Sequence, residues 1–221
     1  MKSKEKRCKY LIYLGLIIIT GMASSCEPEE KVYLALNFEL PVNITPSKSE
    51  FKVGDTILIE INFPIHLLDH KREHLVPFEG FDFYGMTRFN RLANASNSWS
   101  DQPGANNVFK VNNIVGGIYP FSEAGAEITY EMKDNHFVMK SELICQNQGV
   151  FSISFMTGTD INKNPSEIME EKIIGRQQVY YKVNDGVRNN NHLIMENTST
   201  VFDDSVIKTI GNQSFFSFKI K

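Results

Sequence analysis

Three of the five histidines lie in one short segment, with carboxylates between them. His66, His70 and His74 follow one another at intervals of four residues, and Asp69 and Glu73 lie beside them. On a helix this spacing would place the imidazoles on one face, where a pair four residues apart can chelate a transition metal. The sequence therefore allows one chemical hypothesis, a metal-dependent hydrolase that uses these three histidines.

The surroundings of the histidines favour a simpler interpretation. A strand pattern ends at Pro64 and another begins near Phe78, so the segment between them is predicted to be a loop or one helical turn. The HExxH order that supplies a catalytic base is absent, as are the G-x-S-x-G elbow, the Walker loop, the dinucleotide glycines and C-x-x-C. A solvated connection is therefore the preferred interpretation, and we expect no enzyme.

A second candidate site surrounds the only tryptophan. Trp99 lies in the polar stretch 90–107, with Asn97 and Asp101 close to it in sequence. Long loops at the edge of a β-sandwich often carry function, and an exposed indole among amides can stack on the face of a sugar. The commoner alternative is that the indole folds back and pins its own loop. We name Trp99, Asn97 and Asp101 as candidate ligand-binding residues.

The first 26 residues have the pattern of an export signal. A basic opening precedes an uncharged apolar run of thirteen residues, Tyr10 to Met22, and three small residues then lead to Cys26. A helix needs about 20 residues to span a bilayer, so this run is too short. The flanking residues are those of a secretory signal peptide.

The cysteine at the expected cleavage point resembles the lipobox of bacterial lipoproteins, with Ala23 where a large aliphatic residue is usual. The resemblance implies removal of residues 1–25 and a covalent lipid on Cys26, with no other cofactor. Residues 26–31 form a short acidic tether, which resembles the tag that exports some Gram-negative lipoproteins to the cell surface. We therefore expect an outer-membrane protein that contacts the membrane through its lipid.

Net charge excludes one class of partner. The signal holds five of the 23 basic residues and one of the 26 acidic residues, so the rest of the chain has 18 basic and 25 acidic residues and a net charge of −7. Nucleic-acid binding depends largely on cations that replace counterions on phosphate. We therefore expect no nucleic-acid partner.

Alternating apolar residues dominate the chain after residue 32. This period-two pattern predicts short strands, and strands at such spacing indicate an all-β antiparallel sandwich over 32–221, with a division near residue 160 as the alternative. One short helix is predicted at 164–175, among long loops. Pro41 and Pro46 are expected to break the chain, and 189–211 is expected to be irregular, with a turn or two of helix at 203–210. The predicted strands are centred on 32–40, 51–63, 81–83, 108–115, 127–133, 137–145, 150–156, 179–183 and 216–220.

Within these strands, several residues are expected to face the core. Val53 alternates in phase with the isoleucines after it, and Tyr130 and Met132 alternate with Ile128. Cys145 alternates with Leu143, so it is predicted to be a small buried apolar residue without a partner for a disulfide. The Asp134-Asn135 pair is predicted to be a hairpin turn.

Three stretches resemble a group of surface lipoproteins from Gram-negative gut and oral bacteria. They are FKVGDTILIEINFP at 51–64, LLD at 67–69 and FFSFKIK at 215–221. The resemblance implies an immunoglobulin-like sandwich after the lipid anchor, and it implies no activity. The sequence therefore predicts a lipid-anchored binding or structural module with a protein or glycan ligand, and the metal-dependent hydrolase is the alternative.

Overall fold

Fourteen β-strands, one α-helix and two short 3₁₀ helices make up the regular structure of the residues that the computed structural model describes. Those residues are 36–70, 73–79, 83–92, 102–157, 177–187, 189–197 and 214–221. The strands are β1 (Leu36–Thr45), β2 (Glu50–Phe51), β3 (Thr56–Pro64), β4 (His66–Asp69), β5 (His74–Pro77), β6 (Tyr84–Arg91), β7 (Phe109–Val115), β8 (Gly117–Pro120), β9 (Gly125–Thr129), β10 (Glu131–Lys133), β11 (His136–Cys145), β12 (Gly149–Thr157), β13 (Gln177–Val183) and β14 (Phe215–Ile220). The α-helix is α1 (His192–Asn197), and the 3₁₀ helices are Asn106–Val108 and Asn184–Gly186.

Two six-stranded sheets contain most of these strands. Sheet 1 has the order β10-β11-β3-β1-β13, with β7 also paired to β11, and sheet 2 has the order β2-β14-β12-β6-β9-β8. A separate two-stranded hairpin consists of β4 and β5. Inward side chains of both sheets and of the hairpin form one hydrophobic core. The architecture is a β-sandwich, which confirms that part of the fold prediction.

The central strands supply the core through strict alternation. In β3, the buried side chains are Ile57, Ile59, Ile61 and Phe63. In β12 of the opposite sheet, they are Phe151, Ile153 and Phe155. Fully burying one side chain of this size contributes roughly 1.5–3 kcal/mol, so these strands hold the two layers together.

The sheets are mixed, so the purely antiparallel prediction is wrong. β1 pairs with β13 in parallel, and β2 pairs with β14 in parallel. In each pair the two strands are far apart in the sequence, so no tight hairpin forces them to run in opposite directions. The remaining strand pairs among the described residues are antiparallel.

Two predicted strand boundaries are also wrong. Pro41 lies inside β1, because pairing with β3 begins only at Val42 and the missing N–H breaks no bond to that strand. Residues 51–63 form two strands in different sheets, since Gly54 adopts a φ of +91° and its N–H donates to the Cys145 carbonyl oxygen. This turn leaves Val53 50% exposed, where alternation had predicted burial.

The segment 127–133 is also divided between the sheets. β9 belongs to sheet 2 and β10 to sheet 1, so Tyr130 lies at the crossing and is half-buried. Met132 shares its register position with Phe137 but is 51% exposed, because β10 is a three-residue strand at the rim of the sandwich. The inward prediction for Met132 is therefore wrong.

The α-helix of the described residues does not coincide with the helix predicted from the sequence. The helix predicted at 164–175 and the helical turns predicted at 203–210 lie outside those residues, whereas α1 forms in a segment predicted to be irregular. Its first bonds run from the N–H groups of Leu193 and Ile194 to the carbonyls of Asn190 and Asn191. Ile194 packs with Phe215, so tertiary contact stabilises a helix too short to form alone. No helix of the described chain is long and apolar enough to cross a membrane.

Two local predictions are confirmed. Asp134 and Asn135 have φ values of 50° and 60° and join β10 to β11 as a two-residue turn. Cys145 is a free cysteine, 1% exposed, at the end of β11. Burial raises the pKa of its thiol to about 11, so the thiolate needed for reactivity is scarce near neutral pH.

Candidate binding surface

The outward face of sheet 2 carries a row of large side chains that crosses four strands. Met156 of β12 lies opposite Met86 of β6, which lies opposite Glu127 of β9, which lies opposite Tyr119 of β8. Neighbouring strands are about 4.8 Å apart, so the row extends over about 14 Å. Tyr119 is 50% exposed and Met156 is 43% exposed, so both ends of the row are accessible from solvent.

A second aromatic ring lies beside this row. Phe121 follows β8 directly, and its N–H donates to the Gly125 carbonyl oxygen over 3.1 Å, which continues the pairing of β8 with β9. Phe121 lies two residues beyond Tyr119, so the two side chains project from the same face at a spacing of about 7 Å. Phe121 is 63% exposed. We call Tyr119 and Phe121 the aromatic platform.

Two glycines lie under the rings of the aromatic platform. A Cβ atom at Gly117 would lie 2.5 Å from Nδ2 of Asn113 and 2.8 Å from Cε2 of Tyr119, and a Cβ atom at Gly125 would lie 2.6 Å from Cζ of Phe121. Any side chain at these two positions would displace the rings. Both rings thus pack against glycine backbone, which limits their conformational freedom and lowers the entropy lost when a ligand binds.

The chemistry around the aromatic platform is that of a binding surface. Arg88 and Glu127 project from the same face as the rings and supply charges of both signs. Met86 and Met156 are flexible and polarizable, so they adapt to the shape of a ligand. Aromatic, Met and Arg side chains are enriched at protein interfaces, and exposed rings also stack on sugars.

Local features occupy positions at two sheet edges, those of β8 and β13. At the β8 edge, Pro120 has no N–H to donate. Beside it, the side chain of Glu131 accepts a hydrogen bond of 2.9 Å from the Gly116 N–H. At the β13 edge, the Ser214 hydroxyl donates to the Tyr181 carbonyl oxygen over 2.8 Å. These contacts disfavour addition of a strand at these positions of the two edges.

The histidine segment forms the β4–β5 hairpin, so the prediction of a loop or helical turn is wrong. His66 lies opposite Pro77, and His74 lies opposite Asp69. The two positions are three residues apart along the ladder, a distance of about 10 Å. The third histidine, His70, is exposed and follows the end of β4. The helical stripe of three imidazoles therefore does not form.

Each end of the hairpin instead pairs one histidine with one carboxylate. Nε2 of His66 lies 4.0 Å from Oε1 of Glu79, and Nδ1 of His74 lies 3.9 Å from Oδ2 of Asp69. Within the described ranges, no three His, Cys, Asp or Glu side chains are grouped so that they could hold a metal ion. Metal binding at His66, His70 and His74 stays a prediction of the sequence.

Asp69 anchors this hairpin to sheet 1. Its carboxylate is fully buried and accepts a hydrogen bond of 3.0 Å from the Asn37 N–H of β1. The Asn37 carbonyl oxygen in turn accepts a bond from the His70 N–H at 2.9 Å. The carboxylate beside the histidines thus has a structural role that the sequence had not indicated.

The other predicted site residues, Cys26, Asn97, Trp99 and Asp101, lie outside the described residues. The aromatic platform was not predicted. The sequence contained a usable pattern, because Tyr119 and Phe121 are out of phase with Ile118, which is buried. Alternation around one core residue predicts that both aromatic rings face outward.

No protein-family model and no curated protein matches the chain. Among solved structures, the chain is similar to the reeler domain of human F-spondin, with 11% sequence identity, a TM-score of 0.31 and coverage of 70% of this chain and 93% of that one. It is also similar to a type II cohesin domain from the cellulosome of Acetivibrio cellulolyticus, with 11% identity, a TM-score of 0.23 and coverage of 55% and 77%. A type II cohesin dyad from the adaptor ScaA scaffoldin of that organism gives 11% identity, a TM-score of 0.26 and coverage of 65% and 46%.

Proposed function

We propose that this chain is a lipid-anchored protein of the outer membrane that serves as a binding module facing the cell exterior. In this proposal residues 1–25 are removed, Cys26 carries the lipid, and an immunoglobulin-like sandwich presents a ligand-binding face. The ligand is a protein or a glycan outside the cell. The aromatic platform carries the proposal, since Tyr119 and Phe121 pack against glycine backbone and are exposed to solvent.

The platform has the features expected of an interface centre. Aromatic residues often contribute most of the binding free energy of an interface, and truncating one such residue to alanine costs about 2 kcal/mol or more. That cost corresponds to a loss of affinity of about 30-fold. Rings that are already positioned lose little conformational freedom on binding, so this face is better prepared for a ligand than a mobile loop.

Binding is tested with the paired variant Tyr119→Ala/Phe121→Ala. The purified protein is screened against surface glycans and extracellular proteins, and each positive ligand is measured again with the variant. We expect a loss of at least about 30-fold in affinity. Tyr180→Ala is the matched control, because Tyr180 lies in β13 of sheet 1 and is 47% exposed.

The outcomes separate the ligand classes and the proposal itself. A glycan lost only with the platform variant identifies a glycan module, and a protein lost in the same way identifies a protein module. Equal affinity of the platform variant and the Tyr180→Ala control for every ligand would overturn the role of this face.

Location is tested by digestion of intact cells with an added protease. We expect the domain to be cleaved from the surface of cells that express the wild-type chain. With Cys26→Ser, we expect the protein to lose its membrane attachment. A domain that resists protease until the outer membrane is opened would contradict the surface location, and its partners would then be periplasmic.

A further inference from the structure

Three polar side chains without exposed surface form a row across the outward face of sheet 2. They are Asn90 of β6, Ser152 of β12 and Ser217 of β14, each 0% exposed. Ser152 lies opposite Ser217 on one side and opposite Asn90 on the other. We call these three residues the polar row. Outward positions of a sandwich are usually solvated, so complete burial of three polar groups here is unusual.

Each residue of the polar row has an oxygen atom without a hydrogen-bond partner. These atoms are Oδ1 of Asn90, Oγ of Ser152 and Oγ of Ser217. The Asn90 amide nitrogen is satisfied, since it donates to the Gln102 carbonyl oxygen over 3.0 Å. Buried polar groups in native proteins are almost always paired with protein atoms or ordered water. Three unpaired oxygens in adjacent positions therefore indicate a shared partner.

The backbone geometry places the two serine hydroxyls close together. The Ser217 N–H donates to the Asn189 carbonyl oxygen, 2.9 Å away, and so points away from β12. Ser152 and Ser217 are therefore a non-hydrogen-bonded pair, the type in which facing side chains approach most closely. On the other side of β12, Asn90 of β6 lies about 5 Å from Ser152. Asn90 and Ser217 are therefore about 10 Å apart, so one small molecule on each side of Ser152 would reach all three oxygens.

Apolar side chains lie over this part of sheet 2 and limit the size of any molecule bound to the polar row. Leu92, Ile194 of α1 and Phe215 form a separate small apolar cluster on the same side of the sheet, with Val150 packed against it. Ser154, the next outward residue of β12, is 2% exposed and also has an unpaired hydroxyl oxygen. A closed site of this kind, polar beneath and apolar above, suits water, which needs two to four polar partners.

We infer that the polar row is an internal hydration site, in which ordered water bonds to Asn90, Ser152 and Ser217 beneath the apolar cover. This site is separate from the aromatic platform and does not depend on the function proposed above. The water completes the polar contacts on the part of this face that Leu92, Ile194 and Phe215 cover, whereas Tyr119 and Met156 lie on its exposed part.

The test compares serine-to-alanine variants of the full chain by thermal unfolding. If water is bound, Ser152→Ala and Ser217→Ala remove one of its partners, so each variant melts at a lower temperature than the wild type. If the row is empty, each variant removes an unpaired buried hydroxyl and melts at a higher temperature. Ser141→Ala is the matched control, because Ser141 is equally buried but its hydroxyl donates to Oδ1 of Asn113 over 2.8 Å.

A second measurement detects the water directly in the wild-type protein. NMR cross-relaxation between water and the amide protons of Ser152 and Ser217 reports a water molecule that stays bound beside them. We expect these cross-peaks, and we expect them to disappear in the Ser152→Ala/Ser217→Ala variant. Higher melting temperatures for both single variants, together with no cross-peaks in the wild type, would overturn the inference.

Discussion

The hydroxyl oxygens of Tyr130 and Tyr181 lie 2.8 Å apart and form a hydrogen bond between the two sheets. Tyr181 projects from β13 of sheet 1, and Tyr130 lies where the chain crosses from β9 of sheet 2 to β10 of sheet 1. Gly85 of β6 faces the pair from sheet 2. A Cβ atom at Gly85 would lie 2.5 Å from the Tyr181 hydroxyl oxygen and 3.0 Å from that of Tyr130. The pair thus occupies space that only a glycine leaves open.

The first prediction concerns this close approach. Gly85→Ala places a methyl group against two buried hydroxyls, so we expect the free energy of unfolding in urea to fall by about 1–3 kcal/mol. The same substitution in a Tyr181→Phe background should cost less, because the nearest atom has been removed. Equal losses in both backgrounds would show that the tyrosine hydroxyl is not the source of the strain.

The second prediction concerns alkaline pH. Burial raises the pKa of Tyr181 to about 12, and burial also raises the pKa of Tyr130 well above its usual range. In the unfolded chain both groups ionise near pH 10. The folded protein therefore binds more protons than the unfolded chain between about pH 10 and 12, and its stability falls as pH rises through that interval.

Each buried tyrosine should contribute a slope of at most about −1.4 kcal/mol per pH unit in this range. The measurement is the free energy of unfolding as a function of pH, compared with Tyr181→Phe. We expect a shallower fall in the variant, since one of the two groups is gone. Parallel curves for variant and wild type would contradict the prediction.

Period-two alternation predicts the inner face of each strand well, but it does not show which sheet a strand joins. The alternating residues of β3, β11 and β12 are buried as expected. Val53 and Met132 fail because each lies where the chain leaves a sheet, a point at which alternation no longer determines burial. The parallel pairs of β1 with β13 and β2 with β14 depend on contacts between distant segments, which one sequence does not reveal.

The candidate site was harder to predict for a related reason. The histidine spacing suggested chemistry, yet the chain places His66 and His74 at opposite ends of a hairpin. In the aromatic platform, Gly117 and Tyr119 lie on the same strand, but the contact of the Phe121 ring with Gly125 requires the register of β8 with β9. Residue type and spacing alone do not contain that register.

The third prediction concerns the carboxylate that anchors the hairpin. Asp69→Ala leaves the Asn37 N–H without its acceptor, so we expect the free energy of unfolding to fall by about 1–3 kcal/mol. Asp69→Asn keeps an acceptor oxygen and should cost less. His74→Ala should cost at most about 1 kcal/mol, because His74 is only half-buried and lies 3.9 Å from the carboxylate. A larger loss for His74→Ala than for Asp69→Ala would contradict this assignment.

The fourth prediction concerns the side chain that joins the edges of the two sheets. Asn113 of β7 accepts a hydrogen bond of 3.0 Å from the Ile118 N–H and donates one of 3.3 Å to the Ile118 carbonyl oxygen. Its Oδ1 also accepts the Ser141 hydroxyl at 2.8 Å. The carboxamide thus replaces a backbone pair between β7 of sheet 1 and β8 of sheet 2.

Two variants separate these contacts. Asn113→Ala removes all three bonds and should lower the free energy of unfolding by about 1–3 kcal/mol. Asn113→Asp retains the oxygen that accepts from Ile118 and Ser141, but it places a carboxylate oxygen against the Ile118 carbonyl, so its loss should lie between those of the wild type and Asn113→Ala. Native-state hydrogen exchange supplies the local test: the Ile118 amide should exchange faster in Asn113→Ala, while the amides of central β12 keep the protection set by global unfolding. Unchanged exchange at Ile118 would show that β8 holds its position beside sheet 1 without the carboxamide.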